Sequence, residues 1–175
     1  MPNAVLDPRF VEAAKMLQEA GIQFVIVGGV ALNLHGGRNV TKDFDFSYAR
    51  DEDNCERVAE AMNQLKPRPL GWPVHNPFQV TVPQLKRVRF LNLKTSLGDI
   101  DLLPLPDGVD SFDGLWERSV VMDMGDFTVR VASIDDLIAM KRAANRPKDQ
   151  LHLYELQALQ RVIAEEQEDA GTIGA

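Results

Sequence analysis

Residues 25–48 read VIVGGVALNLHGGRNVTKDFDFSY. Phe24 to Val27 is an apolar run of strand length, and Gly28-Gly29 behind it reads as a turn into a short helix ending near Leu34. A second strand, Asp43 to Tyr48, carries two aspartates with one residue between them. Side chains alternate between the faces of a strand, so Asp43 and Asp45 share a face. Like charges that close repel each other, and a hard divalent cation is the usual compensation. A helix opened by glycines offers free backbone N–H groups to an anion. A metal site beside a phosphate site implies a nucleotide and phosphoryl chemistry.

Upstream, Asp7-Pro8 has the form of an N-cap followed by proline at the first helical position, with Phe10, Ala13, Ala14 and Leu17 at helical spacing and Gly21 as the stop. Downstream, Val58, Met62 and Leu65 predict an amphipathic helix over 52–65 that also takes in Cys55 as a buried residue. Pro67 to Pro77 is rich in proline and reads as a loop, either a lid or a packed connection. Strands are expected at Val88–Leu93 and Asp99–Leu103, and a hairpin at Val120–Asp123 and Phe127–Val131 around Gly125-Asp126. Ser133 with Asp136 predicts a capped helix over about 134–144, and Pro147 opens a last helix running to about residue 166, before a frayed AGTIGA tail. Helices mixed with strands give an α/β or α+β fold, a mixed sheet flanked by helices. A single domain over 1–175 is expected, with a core over about 8–132 and a short helical appendix over about 133–168.

A net charge of −7 argues against broad, sequence-independent nucleic-acid binding, which depends on phosphate neutralisation. It leaves room for local basic patches. Lys86, Arg87 and Arg89 form one cluster, and Lys141, Arg142, Arg146 and Lys148 form another; each is either a binding patch or a solvated face. Much of the excess acid lies near the C-terminus, at Glu165, Glu166, Glu168 and Asp169. The single cysteine excludes an internal disulfide framework and fits a reducing compartment. No stretch approaches the length of a membrane span, and MPNAVLDPRF lacks the basic start and apolar core of a signal peptide, so a cytoplasmic location is expected. His75 and His152 have no carboxylate or cysteine at zinc-like spacing. No Ser-His-Asp arrangement, dinucleotide fingerprint or P-loop is present.

The ordered set of strand, Gly-Gly, helix, strand and Asp-x-Asp resembles the nucleotidyltransferase superfamily of DNA polymerase β type. Leu137-Ile138-Ala139-Met140-Lys141 and Arg146-Pro147-Lys148-Asp149 add an apolar helix ending in lysine and a following aspartate. With these the chain is similar to the AbiEii-type toxin nucleotidyltransferases, with the motifs in order from residue 28 to 149. Those toxins are typically longer, so the resemblance is to their catalytic portion with a short helical appendix.

The resemblance implies a nucleotidyltransferase fold and a third carboxylate on a neighbouring strand. GDIDLLPL offers Asp99 and Asp101, two apart and on one face; Asp101 is assigned from the apolar run that follows it, with Asp99 as the alternative. Asp43, Asp45 and Asp101 are then the metal ligands for two Mg²⁺ ions, with a nucleoside triphosphate as donor. Gly28 and Gly29 let the backbone approach the phosphates. Asp101 also accepts the proton of the attacking hydroxyl, and Lys141 pairs with phosphate oxygens. Asp149 orients Lys141 or the acceptor, or is simply a first-turn helix residue. Arg38 and Lys42, flanking the metal strand, are candidate phosphate ligands. His35 either contacts the nucleotide or completes a helix C-terminus before Gly36.

The acceptor stays open. The toxin-like motifs imply a macromolecule, such as the 3′ end of a tRNA, and a cognate antitoxin as partner. The Gly-Gly-x-Ala start also resembles aminoglycoside and lincosamide nucleotidyltransferases, which modify small-molecule hydroxyls, and the acidic net charge fits a small acceptor. A third reading is a binding protein, an antitoxin or regulatory partner, that keeps the fold without turnover.

Overall fold

The computed structural model describes residues 6–172. Helix α1 (Pro8–Glu19) starts where Asp7 accepts a hydrogen bond from the Arg9 backbone N–H, and it buries Phe10, Ala13, Ala14 and Leu17. Gly21, at φ +66°, reverses the chain into β1 (Phe24–Val27), which is buried along its whole length. Helix α2 (Gly28–Leu34) follows directly, and β2 (Asp43–Tyr48) returns antiparallel to β1. In β2, Phe44 and Phe46 are fully buried while Asp43 and Asp45 on the opposite face are not. Phe46 packs against Phe24 with ring centroids 5.9 Å apart, and Phe10 lies 6.1 Å from Phe44. The apolar face of the aspartate strand thus anchors it to the core.

Helix α3 (Glu52–Gln64) is capped by Asp51 and buries Cys55, Val58 and Met62. Three elements then depart from the expectation drawn from the sequence. The Pro67–Pro77 segment contains a two-residue edge strand, β3 (Arg68–Pro69), where proline is tolerated because an outer strand has an unpaired side. Val82–Arg87 is a helix, α4, with proline in its first turn. The strand predicted from Val88 therefore begins at Leu91, as β4 (Leu91–Thr95). After β5 (Gly98–Leu102) comes another helix the sequence did not announce, α5 (Phe112–Arg118), capped by Ser111. Both helices are too short for apolar periodicity to register.

The hairpin β6 (Val120–Asp123) and β7 (Thr128–Val131) forms as expected. Helix α6 (Ile134–Ala144) begins at Ser133, whose hydroxyl accepts from the Asp136 N–H, and ends at Asn145 in the left-handed region. Helix α7 (Pro147–Thr172) runs past the predicted end, taking in the first half of the AGTIGA tail. The last three residues of that tail lie outside the described residues.

The seven strands form one mixed sheet in the order β3-β4-β5-β2-β1-β7-β6. Pairing is parallel between β2 and β5 and between β1 and β7, and antiparallel elsewhere. This is the α/β architecture with a mixed sheet that the sequence predicts. Helix α6 packs on both α2 and α7, closing a space beyond the ends of β1, β2 and β5. No helix among the described residues is long and apolar enough to cross a membrane.

Candidate active site

Strand register builds the acidic floor. Asp45 pairs in register with Val27 of β1 on one side and with Asp101 of β5 on the other. Asp43 lies opposite Asp99 in the same parallel ladder. The alternation that separates Asp43 and Asp45 from Phe44 also puts Asp99 and Asp101 on their face. Of the two β5 carboxylates, only Asp101 lines the cavity with Asp43 and Asp45; Asp99 is instead 3.6 Å from Lys94 Nζ.

The glycine pair makes this floor possible. Gly28 has φ +68°, and a Cβ there would overlap the Asp45 carboxylate, coming within 2.8 Å of its Cγ. A Cβ on Gly29 would lie 2.8 Å from the Thr41 side chain. The pair is needed first to let Asp45 and the 39–41 segment close against the start of α2. That segment is fixed by Asn33, a buried amide of α2 that exchanges two 2.8 Å hydrogen bonds with the Asn39 backbone. Thr41 Oγ1 donates to the Asp43 carbonyl at 3.1 Å.

Helices α6 and α7 supply the opposite wall. Lys141 Nζ is 3.0 Å from Asp149 Oδ1, and Arg146 Nε is 2.8 Å from Asp149 Oδ2. Asp149 also accepts the Arg146 backbone N–H at 3.1 Å and has no solvent exposure. Lys141, Arg146, Lys148 and His152 line the cavity, whereas Asp149 stands behind them. His152 Nδ1 is buried with no hydrogen-bond partner among the described residues. The cavity between the walls has a volume of about 730 Å³. Its remaining surface comes from Val40 and Lys42 at the rim, Leu103, Pro106 and Asp107 after β5, and Leu137 and Met140 on α6.

The two walls differ electrostatically. Burial, followed by the charges of Asp101 and Asp43, pushes the Asp45 carboxyl up to about 7, with Lys141 and Lys148 partly offsetting the rise. Asp101 is raised by burial and by Asp43 and Asp99, against a hydrogen bond from Asn92. Burial opposes ionisation of Asp149 too, but hydrogen bonds from Arg146 and Lys141 outweigh it and hold this carboxyl well below the usual carboxylate range. Burial and then Lys141 push His152 down, which keeps the ring neutral.

Of the residues singled out from sequence, Gly28, Gly29, Lys42, Asp43, Asp45, Asp101 and Lys141 meet in this one cavity. Arg38 lies outside its lining, with its backbone N–H donating to Glu155 Oε1 at 2.8 Å. His35 caps the C-terminus of α2, and its Nε2 is 2.8 Å from the Ala132 carbonyl. The sequence reading names neither Asn39, Thr41 nor Asp107 and weighs His152 only as a zinc ligand. His152 had a usable signal, because it sits one helical turn after Lys148 on the same face.

Among the described residues, no group of three or more His, Cys, Asp or Glu side chains is arranged to hold a metal ion by itself. The donor set still fits Mg²⁺, which takes one or two carboxylates and completes its shell with substrate phosphates and water rather than an all-protein cage. The raised pKa values of Asp45 and Asp101 point the same way, since both carboxylates lack a positive partner as close as those of Asp149.

A family model described as "Nucleotidyl transferase AbiEii toxin, Type IV TA system" matches residues 9–154. Among solved structures, the chain is similar to the lincosamide antibiotic adenylyltransferase LnuA bound to lincomycin, at TM-score 0.59 and 12% identity over 90% of this chain and 99% of that one. It is also similar to ANT(2")-Ia in complex with adenylyl-2"-tobramycin, at TM-score 0.53 and 14% identity over 93% of this chain and 90% of that one. At these identities the likeness is one of fold. No curated protein matches the sequence.

Proposed function

The chain belongs to the AbiEii nucleotidyl transferase family, and on that premise we propose that it moves a nucleoside monophosphate from a nucleoside triphosphate to a hydroxyl of RNA, with Mg²⁺ as cofactor. Nucleotidyl transfer is the activity of the family; the acceptor, the metal and the residue roles are our reading. One observation carries it: Asp43, Asp45 and Asp101 face Lys141, Arg146 and Lys148 across a single cavity. Such a space receives a metal–triphosphate on its acidic side and the outer phosphates on its basic side.

Asp43 and Asp45 would hold the metal against the donor, and Asp101 would complete a second position. Bound Mg²⁺ would supply positive charge that neutralises the phosphates and lowers the pKa of a hydroxyl whose oxygen it touches. The acceptor oxygen forms a new bond to the α-phosphorus as the bond to the bridging oxygen breaks. Pyrophosphate leaves with that electron pair, and the hydroxyl proton passes to the Asp101 carboxylate. Lys141, Arg146 and Lys148 bind the departing phosphates, with Lys42 at the rim. Asp149 is a positioning residue, aiming Lys141 and Arg146 without touching substrate. Gly28 and Gly29 bring backbone N–H groups to the same space. A toxin role with a cognate antitoxin, acting in the cytoplasm, belongs to this reading.

A small-molecule acceptor is the second reading. The net charge of −7 and the fold shared with the two antibiotic-modifying enzymes over nearly their full lengths favour it. The test is label transfer from each of four α-labelled nucleoside triphosphates, with Mg²⁺, into a fractionated cell extract. The Asp43→Asn/Asp45→Asn protein serves as control. Label entering RNA is the expected result, and label entering small molecules selects the second reading. If folded protein moved no metal-dependent label into any fraction, catalysis would be excluded in favour of a binding or antitoxin role.

A further inference from the structure

The cavity does not end at the carboxylates. Past them its lining runs through Leu103, Pro106 and Asp107 after β5, and β4 lies on the far side of β5 from β2. Asn92 of β4 pairs with Asp101 and Leu91 with Leu102, and Phe90 immediately precedes this ladder. Arg89 Nη2 is 3.1 Å from the carboxylate of Asp107, another lining residue. The segment Lys86-Arg87-Val88-Arg89-Phe90 therefore meets the cavity lining at the Arg89–Asp107 pair and leads into the strand that pairs with that of Asp101.

The chemistry of this segment is unusual for an acidic protein. Lys86, Arg87, Arg89 and Arg50 are all exposed. The Arg50 guanidinium donates to the carbonyls of Lys86 and Val88, which adds a cation from β2's end to the same strip. Lys86 is paired with Glu52 and Arg89 with Asp107, while Arg50 and Arg87 make no ion pair among the described residues. Phe90 is 64% exposed, in a chain whose Phe10, Phe24, Phe44 and Phe46 are all buried. Core packing gives no reason for a bare aromatic ring at the end of this basic segment. Cations that follow a backbone, interleaved with an aromatic ring that can stack a base, form the usual surface for single-stranded nucleic acid.

We propose that Arg50, Arg87, Arg89 and Phe90 form the docking strip for a single-stranded nucleic-acid acceptor. Phe90 stacks a base near the reactive 3′ end, and the arginines contact the phosphates behind it. This rests on the reading of the protein as an RNA-directed nucleotidyltransferase and adds where the acceptor lies. An acidic peptide would satisfy the arginines but has no planar face for Phe90, which is why nucleic acid is favoured. The strip leads into β4, which pairs with the strand of Asp101, the residue that would take the acceptor's proton.

The experiment is fluorescence anisotropy with the full chain and a labelled oligouridylate of about 12 nucleotides, within the usual site size of such surfaces. Salt is varied, and each protein's folding is checked by circular dichroism. Arg87→Ala/Arg89→Ala is expected to weaken binding about tenfold and to flatten the salt dependence by a slope of about 1.4, the loss of two phosphate contacts on a single strand. Phe90→Ala is expected to weaken binding about tenfold with the salt slope kept, and Phe90→Trp to restore it. Magnesium–nucleotide binding, measured by calorimetry, stays at the wild-type level in all three. Oligouridylate binding unaffected by these substitutions, or a polyglutamate probe bound as tightly, overturns the strip. If the oligonucleotide does not bind while magnesium–nucleotide binding persists, the strip fails alone; if both fail, the nucleotidyltransferase reading of the cavity fails with it.

Discussion

The two walls of the cavity make opposite use of buried charge. On the helix wall, Asp149 is wholly enclosed yet matched by Lys141 and Arg146, so its charge is satisfied before any ligand arrives. On the strand wall, Asp43, Asp45 and Asp101 crowd one another, and burial and repulsion raise the pKa of Asp45 to about 7. A matched buried ion pair is a structural element, and removing one partner strands the other. An unmatched carboxylate cluster stores repulsion that a cation relieves, and perturbed acidities of this kind gather at functional sites. The basic wall is preassembled, and under the proposed function a metal ion would complete the acidic one.

The strongest way to break this contrast is Asp45→Asn. Nucleotidyl transfer should fall at least about a hundredfold, while the ligand-free protein should melt higher, because one of three repelling charges is gone. Turnover at the wild-type level would end the metal assignment. The wild-type pH profile sharpens the same point. The Asp45 carboxyl lies at about 7 against an ordinary 3.8, so the folded, ligand-free protein binds a proton that the unfolded chain has released. Its stability therefore declines as pH rises from about 4 to about 7. Under the proposed metal assignment magnesium–nucleotide binding needs the ionised form, so its affinity should drop about tenfold for each pH unit below about 7. Calorimetry across this range checks both signs.

On the helix wall, Asp149→Asn should cost about 3 kcal/mol at neutral pH, because two cations lose their shared counterion. Asp149 is held below the usual carboxylate range, so its contribution is present above about pH 4 and fades as pH falls through its lowered value. Melting curves of variant and wild type should converge in strong acid. The KM for nucleotide should rise as Lys141 and Arg146 lose their aim. Next comes Gly28→Ala, at about 2 kcal/mol for a side chain forced into φ +68° against the Asp45 carboxylate, with weakened magnesium–nucleotide binding as the readout. Smallest is Ser133→Ala, which removes the cap of α6 for about 1 kcal/mol. Activity per folded molecule should stay near normal, since the cap touches neither wall.

Much of the frame was legible in the chain because its determinants are local. Strand β1 and strand β2 lie where their apolar patterns put them, and α1 and α6 start at the capping residues that the sequence displays. Helices α4 and α5 were missed because six or seven residues hold too few apolar positions to show a period. The edge strand β3 was hidden by its prolines, which argue for a loop unless the strand is known to lie outermost. Gly28 was found, but for a second-hand reason. Its proximity to phosphate was anticipated, whereas the overlap with Asp45 depends on β1 lying against β2.

By itself the sequence determined that two carboxylates share one strand face, that glycines open the helix before them, and that capped helices follow. Each of these depends on dihedral preferences and spacings within a few residues. Only the tertiary structure decided that Asp101 rather than Asp99 completes the floor, that Asp149 stands behind Lys141, and that Arg89 pairs with Asp107 of the cavity lining. Asp99 and Asp101 have the same local pattern, and what separates them is Lys94 across the hairpin and the position of the cavity at one end of β5. Such choices follow from strand order and helix packing, which bring together residues far apart in the chain and leave no mark on the spacing of either one.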